Sequence, residues 1–582
     1  MSAKQIDQIT LDIIRDTFQA IGEEMFISTA RASKSPVIYE VLDFASGLTN
    51  HRGDLLTQGN GITGFVGMLS TMVHEVLLRF NGGADLVDGD IILCNDPYAG
   101  GGSHLSDVGL VMPIFFDGEI VAYSVNKAHW TEVGGKNPGS WSSDATEVYQ
   151  EGILFPFVKI FKAGSIDNDL LNIIKENVRT PDLSVGDMMA QIAGLRTGQK
   201  RMLELCEKFS VETVQFAIDK FLKASEEISK KKVLEIPEGE YTAVEYVDDD
   251  GLSDDPIKIQ VKVTIKDGRF IVDYTGTDPQ VSGPINTSYA ALSSGVRTIF
   301  LASTDPSQDV NDGVFKPIEI IAEEGSILNC QKPASVSICW ESELMSIDVV
   351  QKALAPIVPD KLVAANHTTV GAFNFQVWHP DHKEYNINVA PSLAGWGAGR
   401  GFDGQSGQFS TGNGESFNIP VEILESKYGF HVDEYCFVTQ IDGAGAGEFR
   451  GGAGVRRAYR MRSDGSYFTG SLGRSKFPPW GLAGGNEGSR NYFEVLKKDG
   501  SVEGPFGKMA QYPLKEGDAI VFNTSIGGGY GNPLMRSVEK VEMDAKDEFI
   551  SVREAEAVYG VILDPKTFKA TGITEARKAL EN

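Results

Sequence analysis

The spacing of apolar residues predicts a long amphipathic helix near the start of the chain. Between residues 8 and 32, large apolar side chains recur at nearly helical intervals. The pattern ends in the segment 33–36, because Pro36 disfavours helical geometry in the residue before it. A second helical pattern covers residues 63–80. Both helices have an apolar face, so each is expected to pack against a sheet or another helix.

The segment between these helices is unusual because it places carboxylates in an apolar run. Residues 37–44 favour a strand, yet they include Glu40 and Asp43. Two interpretations remain open. Either the two carboxylates lie on a solvated face, or one of them points into a functional site as a ligand, a base or a substrate anchor.

The next segment predicts a short buried strand followed by a hairpin. Residues 91–93 form the apolar strand, and 95–97 end it, since Asn and Asp favour turns and Pro cannot donate to a ladder. Residues 108–114 and 120–125 then form two strands around a turn at 117–118. Antiparallel pairing brings the beginning of the first strand beside the end of the second.

That pairing places His104 and Asp107 near His129. Imidazole nitrogens suit zinc, iron or manganese, and a carboxylate suits the harder ions. Three protein ligands leave positions open for water or substrate, which is the pattern of catalytic sites. The alternative interpretation is that both histidines are ordinary loop or core residues with satisfied hydrogen bonds.

Beyond residue 234 the pattern changes from helical to alternating. The sequence therefore predicts an α+β chain with several domains, antiparallel-rich sheets, glycine-rich loops and flanking helices. We expect an N-terminal α+β domain carrying the metal site at 1–233 and a β-rich α+β domain at 234–540. The second domain is expected to complete the site and the subunit interface, and a helical tail follows at 541–582. The polar segment 130–148 is long for a loop in a compact chain, and such loops often carry function.

Composition and charge narrow the class of partner. The net charge of −27 argues against a nucleic acid partner. No run of 18 apolar residues exists, so no membrane span is expected. The five cysteines are scattered without a C-x-x-C pair, and the first residues lack the basic and apolar regions of a signal peptide. These features predict a cytoplasmic protein.

Glycine is abundant, with 64 residues concentrated in discrete loops. Three glycine-rich segments lie at 392–415, 442–454 and 526–533. None has the form of a phosphate-binding loop, and no nucleophile elbow is present. We therefore interpret them as turns and close approaches between backbones.

Several stretches together resemble one family. They occur in order along nearly the whole chain: 95–101 with 104–107, 273–277 with Gln280 and Asn286, 449–454, 478–485 and 527–533. The chain is similar to the hydantoinase B family. This family includes the smaller subunit of ATP-dependent hydantoinases, 5-oxoprolinases and caprolactamase, and related subunits of acetone and acetophenone carboxylases.

The resemblance implies a partner and a metal. Subunits of this family pair with a larger, actin-like alpha subunit that binds ATP and magnesium, which agrees with the missing phosphate loop here. An α2β2 or higher hetero-oligomer is expected. In the carboxylase branch a His, an Asp three residues later and a more distant His hold the metal, and these roles fall on His104, Asp107 and His129. Zinc is the first expectation for that metal, with manganese or iron as alternatives.

The function implied is ATP-dependent opening of a small cyclic amide, such as a lactam or hydantoin ring. In this hypothesis metal-activated water attacks an activated amide, and Asp43, Glu40 or Asp96 accepts the proton. One alternative is a subunit of an ATP-dependent acetone- or acetophenone-type carboxylase. A second alternative is a non-catalytic scaffold subunit in which His104 is merely structural.

Overall fold

The structure is a computed structural model that describes residues 6–59, 61–65, 67–414 and 416–581. Residues 1–5, on which the expectation about a signal peptide depends, lie outside the described residues, as does Asn582 at the end of the predicted tail. Within the described ranges, no helix combines the length and the apolar character needed to cross a membrane.

The described helices begin and end as follows: α1 Gln8–Ala32, α2 Pro36–Tyr39, α3 Met68–Arg79, α4 Asn168–Asn177, α5 Pro181–Phe209, α6 Val211–Leu234, α7 Tyr289–Ser303, α8 Asp312–Phe315, α9 Trp340–Leu354, α10 Val421–Tyr428, α11 Val538–Lys546, α12 Val552–Ala557 and α13 Glu575–Glu581.

The described strands have these bounds: β1 Phe44–Asn50, β2 Leu55–Gln58, β3 Ile91–Cys94, β4 Asp107–Phe116, β5 Glu119–His129, β6 Val158–Lys162, β7 Ser165–Ile166, β8 Gly239–Val247, β9 Ile257–Lys266, β10 Arg269–Asp273, β11 Ile318–Ile321, β12 Phe373–His379, β13 Glu384–Ala390, β14 Phe430–Val438, β15 Gly454–Met461, β16 Ser466–Ser471, β17 Tyr492–Leu496, β18 Val502–Phe506, β19 Lys508–Leu514, β20 Ala519–Asn523, β21 Val561–Leu563 and β22 Ala570–Ile573.

This mixture of helices and mostly antiparallel sheets confirms the predicted α+β class. The chain folds into two compact units that are discontinuous in sequence. The first contains residues 1–240, 262–346 and 412–419, and the second contains 241–261, 347–411 and 420–582. The predicted domain boundaries at 233 and 540 stay predictions.

The first unit is built around a seven-stranded sheet in the order β2-β1-β5-β4-β3-β6-β7. The hairpin of β4 and β5 lies inside this sheet, with β1 on one side and β3 on the other. The turn at Asp117 and Gly118 has φ values of 49° and 87°, which suits the twist of a tight hairpin. The predicted hairpin is therefore confirmed.

Both faces of this sheet are covered, which explains why its central strands are apolar on both sides. Helices α1 and α5 pack against each other and against one face, where Val108 and Leu110 of β4 join their core. Helix α3 packs on the opposite face, where Val111 and Ile92 are buried. Alternate residues of β4 thus belong to two different hydrophobic cores, as the two-residue repeat of a strand requires.

The predicted strand at 37–44 is wrong. Pro36 occupies the first turn of the short helix α2, where its fixed φ favours helix and its missing N–H is not needed. The chain then reverses at Leu42, whose φ is 63°, and β1 begins only at Phe44. Glu40 and Asp43 consequently lie on a turn between helix and strand and not within a strand.

The second unit contains two antiparallel sheets packed through an aromatic core. One has the order β13-β12-β16-β19 and the other β14-β15-β20-β17-β18. Phe373 and Phe375 of β12 contact Tyr459 of β15, with ring centroids 5.6 and 5.4 Å away, and Phe522 of β20 lies 4.8 Å from Phe373. Side chains of both sheets therefore share one core, as in a sandwich.

The three glycine-rich segments meet in the second unit, where backbone lies directly on backbone. A side chain at Gly527 would begin 2.1 Å from the Trp396 carbonyl oxygen, and one at Gly452 would begin 1.9 Å from that of Gln405. The N–H of Gly452 donates to Trp396 at 2.8 Å, and the N–H of Gly527 donates to Gly452 at 3.0 Å. The interpretation of these segments as close backbone approaches is confirmed.

The C-terminal segment is packed into the second unit. Helices α11 and α12 and the strand pair β21–β22 bury a common core that includes Val541, Tyr559 and Ala446. The predicted helical tail thus also contains a small antiparallel sheet.

Candidate functional site

Asp107 and His129 form a cross-strand pair at one end of the hairpin. Asp107 is the first residue of β4 and His129 is the last residue of β5, and the two are direct partners in the register. The ladder continues one step further, since Trp130 N–H donates to the Ser106 carbonyl at 2.8 Å. Both side chains are buried. The predicted proximity of these residues is confirmed.

His104 reaches the same place from the loop between β3 and β4. Asn95 holds this loop, because its side-chain amide donates to the Leu105 carbonyl at 2.7 Å and its oxygen accepts from Phe155 N–H at 2.6 Å. As a result His104 Nε2 lies 3.5 Å from Asp107 Oδ1. The rings of His104 and His129 have centroids 5.1 Å apart. The three predicted ligands are therefore neighbours.

Both histidines are held in the neutral form, which is the form that donates a lone pair to a metal. Burial, followed by the electrostatic interaction with His104, which opposes a second protonated ring beside it, lowers the pKa of His129 to about 4. Burial also lowers the pKa of His104. The Nδ1 atom of His129 is buried and has no hydrogen-bond partner among the described residues, and an unsatisfied buried nitrogen of this kind suits a metal ligand.

Asp107 is held in its ionised form. Burial opposes the charge, but the neighbouring His104 and Lys127 and a hydrogen bond from the Ser103 hydroxyl outweigh it, so the pKa of Asp107 is lowered. The donor set therefore consists of two neutral imidazoles and one carboxylate. This set fits zinc, manganese or iron.

The side chains are adjacent but do not form a finished coordination site. In the part of the chain that the structure describes, no three His, Cys, Asp or Glu side chains surround a common point closely enough to hold a metal ion. The metal site at His104, Asp107 and His129 stays a prediction, which the unpartnered nitrogen and the chemistry of the donor set favour.

Asp43 is a fourth residue of this cluster. It lies in the turn between α2 and β1, where the sequence predicted a strand. Its carbonyl oxygen accepts the His129 N–H at 3.0 Å, just before β1 begins to pair with β5. Burial, followed by the negative charge of Asp107, raises the pKa of Asp43 well above its ordinary range. By accessible surface Asp43 is half-buried and Asp107 is buried. Two neighbouring carboxylates that repel each other are stabilised together by a cation.

Glu40 and Asp96 each take part in a local turn. Glu40 follows the last residue of α2, and its N–H donates to Pro36. Asp96 accepts the N–H of Tyr98 and so caps a short turn after β3. Within the described ranges neither side chain shares a hydrogen bond or an ion pair with His104, Asp107 or His129. Their predicted part in proton transfer stays a prediction.

Sequence reasoning missed two buried ionisable groups beside the cluster. Lys127 lies two residues before His129 on β5, so strand alternation places both on one face, and burial lowers its pKa. Glu343 comes from the first turn of α9, more than 200 residues later, and no sequence pattern links it to the site. Burial and then the charge of Asp107 raise the pKa of Glu343 to about 8.

Comparison with known proteins identifies the family to which this chain belongs. The profile described as Hydantoinase B/oxoprolinase matches residues 7–533. The chain belongs to the hydantoinase B family. The resemblance drawn from the sequence motifs is thereby confirmed.

Relatives of this hydantoinase B family member match it over nearly its full length. One subunit of a putative D-/L-hydantoinase from a Pseudomonas species is 33% identical, with 99% of this chain and 98% of that protein aligned. The solved structure of an ATP-dependent caprolactamase from Pseudomonas jessenii superposes with a TM-score of 0.90 at 25% identity, covering 99% of both chains. An acetone carboxylase structure also superposes with a TM-score of 0.90, over 99% of this chain and 82% of that chain, but at 20% identity, which shows the shared fold alone.

Proposed function

We propose that this chain is the metal-containing beta subunit of an ATP-dependent hydrolase that opens a small cyclic amide. The observation that carries the proposal is the buried cluster in which Asp107 faces His129 across the hairpin while His104 lies 3.5 Å from the carboxylate. The names of the relatives, a hydantoinase subunit and a caprolactamase, support the reaction class. The designation of one relative as a subunit supports a partner chain.

In this proposal His104, Asp107 and His129 hold a divalent cation, and Asp43 completes the ligand set. The raised pKa of Asp43 supports its role, since a cation would relieve the repulsion between its carboxylate and that of Asp107. When bound, such a cation supplies positive charge that stabilises the negative charge developing on a carbonyl oxygen under attack. The chain's own contribution is to keep both imidazoles neutral and the Asp107 carboxylate ionised.

Proton transfer is assigned to Glu343. Burial is the larger of the two causes that raise the pKa of its carboxyl to about 8. A carboxyl group with such a pKa exchanges a proton near neutral pH, where a catalytic acid or base is most effective. Ring opening of an amide needs a proton at the departing nitrogen, and a carboxyl group that is still partly protonated at neutral pH can deliver it. ATP and magnesium belong to an actin-like alpha subunit in this proposal, in an α2β2 or higher assembly located in the cytoplasm.

The test is an assay of the complex purified with its ATP-binding partner. Hydantoin, 5-oxoproline and caprolactam are each supplied with ATP and magnesium, and the ring-opened product is measured by mass spectrometry. A parallel assay supplies acetophenone and labelled bicarbonate. ATP-dependent ring opening supports the proposal, whereas incorporation of label into the ketone would assign the chain to the carboxylases. An intact complex without turnover in any assay would favour a scaffold role.

A further inference from the structure

Two buried indole rings lie beside the candidate cluster. Trp340, the first residue of α9, approaches His104 with ring centroids 5.6 Å apart and planes at 78°. Trp141 stands behind it, 5.5 Å from Trp340 at 83°. Trp141 is 1% exposed and Trp340 is 7% exposed. The two indole rings and the His104 imidazole therefore form a row of ring contacts, and neither indole was part of the predicted site.

Both indole N–H groups are buried without an acceptor in the described part of the chain. Nε1 of Trp141 and Nε1 of Trp340 have no hydrogen-bond partner there. Trp130 provides a comparison within the same unit, because its buried N–H donates to Gln191 Oε1 at 2.7 Å. A buried donor without a partner is unfavourable, and buried tryptophans usually satisfy their N–H. Two unpartnered donors on neighbouring rings, one of which contacts the predicted metal ligand His104, point to a ligand that accepts from them.

Hydrogen bonds hold both residues that flank Trp141 in its loop. Ser140 accepts the Val133 N–H at 2.6 Å, and Ser142 N–H donates to the Ser337 hydroxyl at 2.7 Å. Ser337 is itself held, since its N–H donates to Glu151 at 3.0 Å. This is the long polar segment for which the sequence indicated a function. Its contacts preorganise the Trp141 donor before any ligand arrives.

We propose that Trp141 and Trp340 are specificity-determining residues whose indole N–H groups donate to carbonyl oxygens of the ring substrate. This inference rests on the proposed ring-opening function. The two donors are neutral and lie on flat aromatic surfaces, so they suit a small flat ring with neutral acceptor oxygens. A simple lactam has one carbonyl, which the reaction itself uses. A cyclic ureide such as hydantoin has a second carbonyl that remains available, so the pair selects rings of this class.

The experiment compares the purified complex with Trp141→Phe and Trp340→Phe variants, using hydantoin and the single-carbonyl lactam 2-pyrrolidinone. Phenylalanine keeps an aromatic ring but removes the donor. For hydantoin we expect kcat/KM to fall by about 5- to 100-fold, mainly through KM, because the bound carbonyl loses its buried partner. For 2-pyrrolidinone the change should be much smaller.

Trp130→Phe is the matched control. Its N–H is already used inside the protein, so this variant should lose thermal stability because the buried Gln191 Oε1 loses its donor, while the preference for hydantoin over the lactam persists. In the Trp141 and Trp340 variants no internal hydrogen bond is lost, so stability should change less than in the control.

Each outcome decides the inference. A Trp141 or Trp340 variant that folds and keeps the wild-type ratio of hydantoin to lactam activity would overturn it, while leaving ring opening intact. If the variants do not fold, the wild-type enzyme still tests it, because equal kcat/KM for hydantoin and 2-pyrrolidinone contradicts selection by a second carbonyl. Absence of ring opening by the wild-type complex overturns the proposed function and this inference together.

Discussion

Asp107 and His129 are direct cross-strand partners at one end of the hairpin formed by β4 and β5. Their separation in sequence is set by the length of the hairpin, but their separation in space is set by the antiparallel register. His104 needs only a three-residue turn to reach the same end, and its imidazole lies 3.5 Å from the Asp107 carboxylate. The local geometry of one hairpin thus assembles all three predicted ligands.

The first prediction concerns the metal. Asp107→Asn keeps the shape of the side chain and removes its charge, so we expect metal affinity to fall by at least about 100-fold. Inductively coupled plasma mass spectrometry of the purified protein measures the metal content. His382→Ala removes an exposed histidine and should retain the metal of the wild-type protein. Wild-type protein without stoichiometric zinc, manganese or iron would argue against the site.

The second prediction separates the two carboxyl groups beside the cluster. Asp43→Asn should lower metal content and activity together, since we assign Asp43 to the ligand set. Glu343→Gln should retain the metal and lower kcat by about 100- to 10,000-fold, the usual contribution of a general acid or base. Metal analysis and turnover of the same preparations measure both quantities. If Glu343→Gln loses the metal while Asp43→Asn retains it and loses only turnover, Glu343 is the ligand and Asp43 is the proton-transfer group.

The third prediction concerns the loop that carries His104. A side chain at Gly102 would begin 2.7 Å from the carbonyl oxygens of Asn95 and His104, so Gly102→Ala must displace the backbone. We expect a loss of about 1–3 kcal/mol in stability, accompanied by reduced metal affinity. Gly572→Ala is the matched control, because its nearest neighbour is a side-chain atom 3.7 Å away. Chemical denaturation and metal titration measure the two effects.

The fourth prediction is a pH dependence of stability that depends on Glu151. Its carboxylate accepts the N–H groups of Val336 and Ser337, yet burial raises its pKa from the ordinary 4.5 to about 8. Between about pH 4.5 and pH 8 the folded state therefore binds more protons than the unfolded state. Because of this difference, the contribution of Glu151 to the free energy of unfolding falls as the pH rises through this range. By pH 8 this loss amounts to about 4 kcal/mol.

Glu151→Gln should remove this slope and raise the melting temperature at pH 8 relative to the wild-type protein. The exposed Glu176→Gln provides a control that should follow the wild-type profile. Differential scanning calorimetry between pH 5 and about pH 8 distinguishes the two cases. Parallel profiles for wild type and Glu151→Gln would show that Glu151 is ionised throughout.

The parts of the site that the sequence predicted are those governed by short-range rules. The turn at Asp117 and Gly118 and the two-residue alternation of its flanking strands set the register, and the register brings Asp107 to His129. The resemblance to the family supplied the predicted roles of these residues as metal ligands. The strand predicted at 37–44 failed because apolar content alone cannot distinguish a short helix from a strand. In the sequence Pro36 indicated the end of the first helix, but it also begins α2.

The remaining part of the site depends on tertiary packing. Trp340 and Glu343 come from a helix more than 200 residues beyond the hairpin, and no pattern in the sequence indicates that α9 begins beside His104. The sequence also could not show which residues the glycine-rich segments contact. Their composition predicted close backbone contacts, but only the fold shows that Gly452 and Gly527 approach each other.

The hairpin that carries Asp107 and His129 has a strand hydrogen-bonded along each of its outer sides. An edge strand can fray without disturbing the rest of a sheet, but these two strands cannot separate from their neighbours unless the whole layer comes apart. Heating or denaturant should accordingly abolish metal retention and native structure in a single event. The protein would then lack any partly melted state in which the ligand cluster is broken and the surrounding architecture survives.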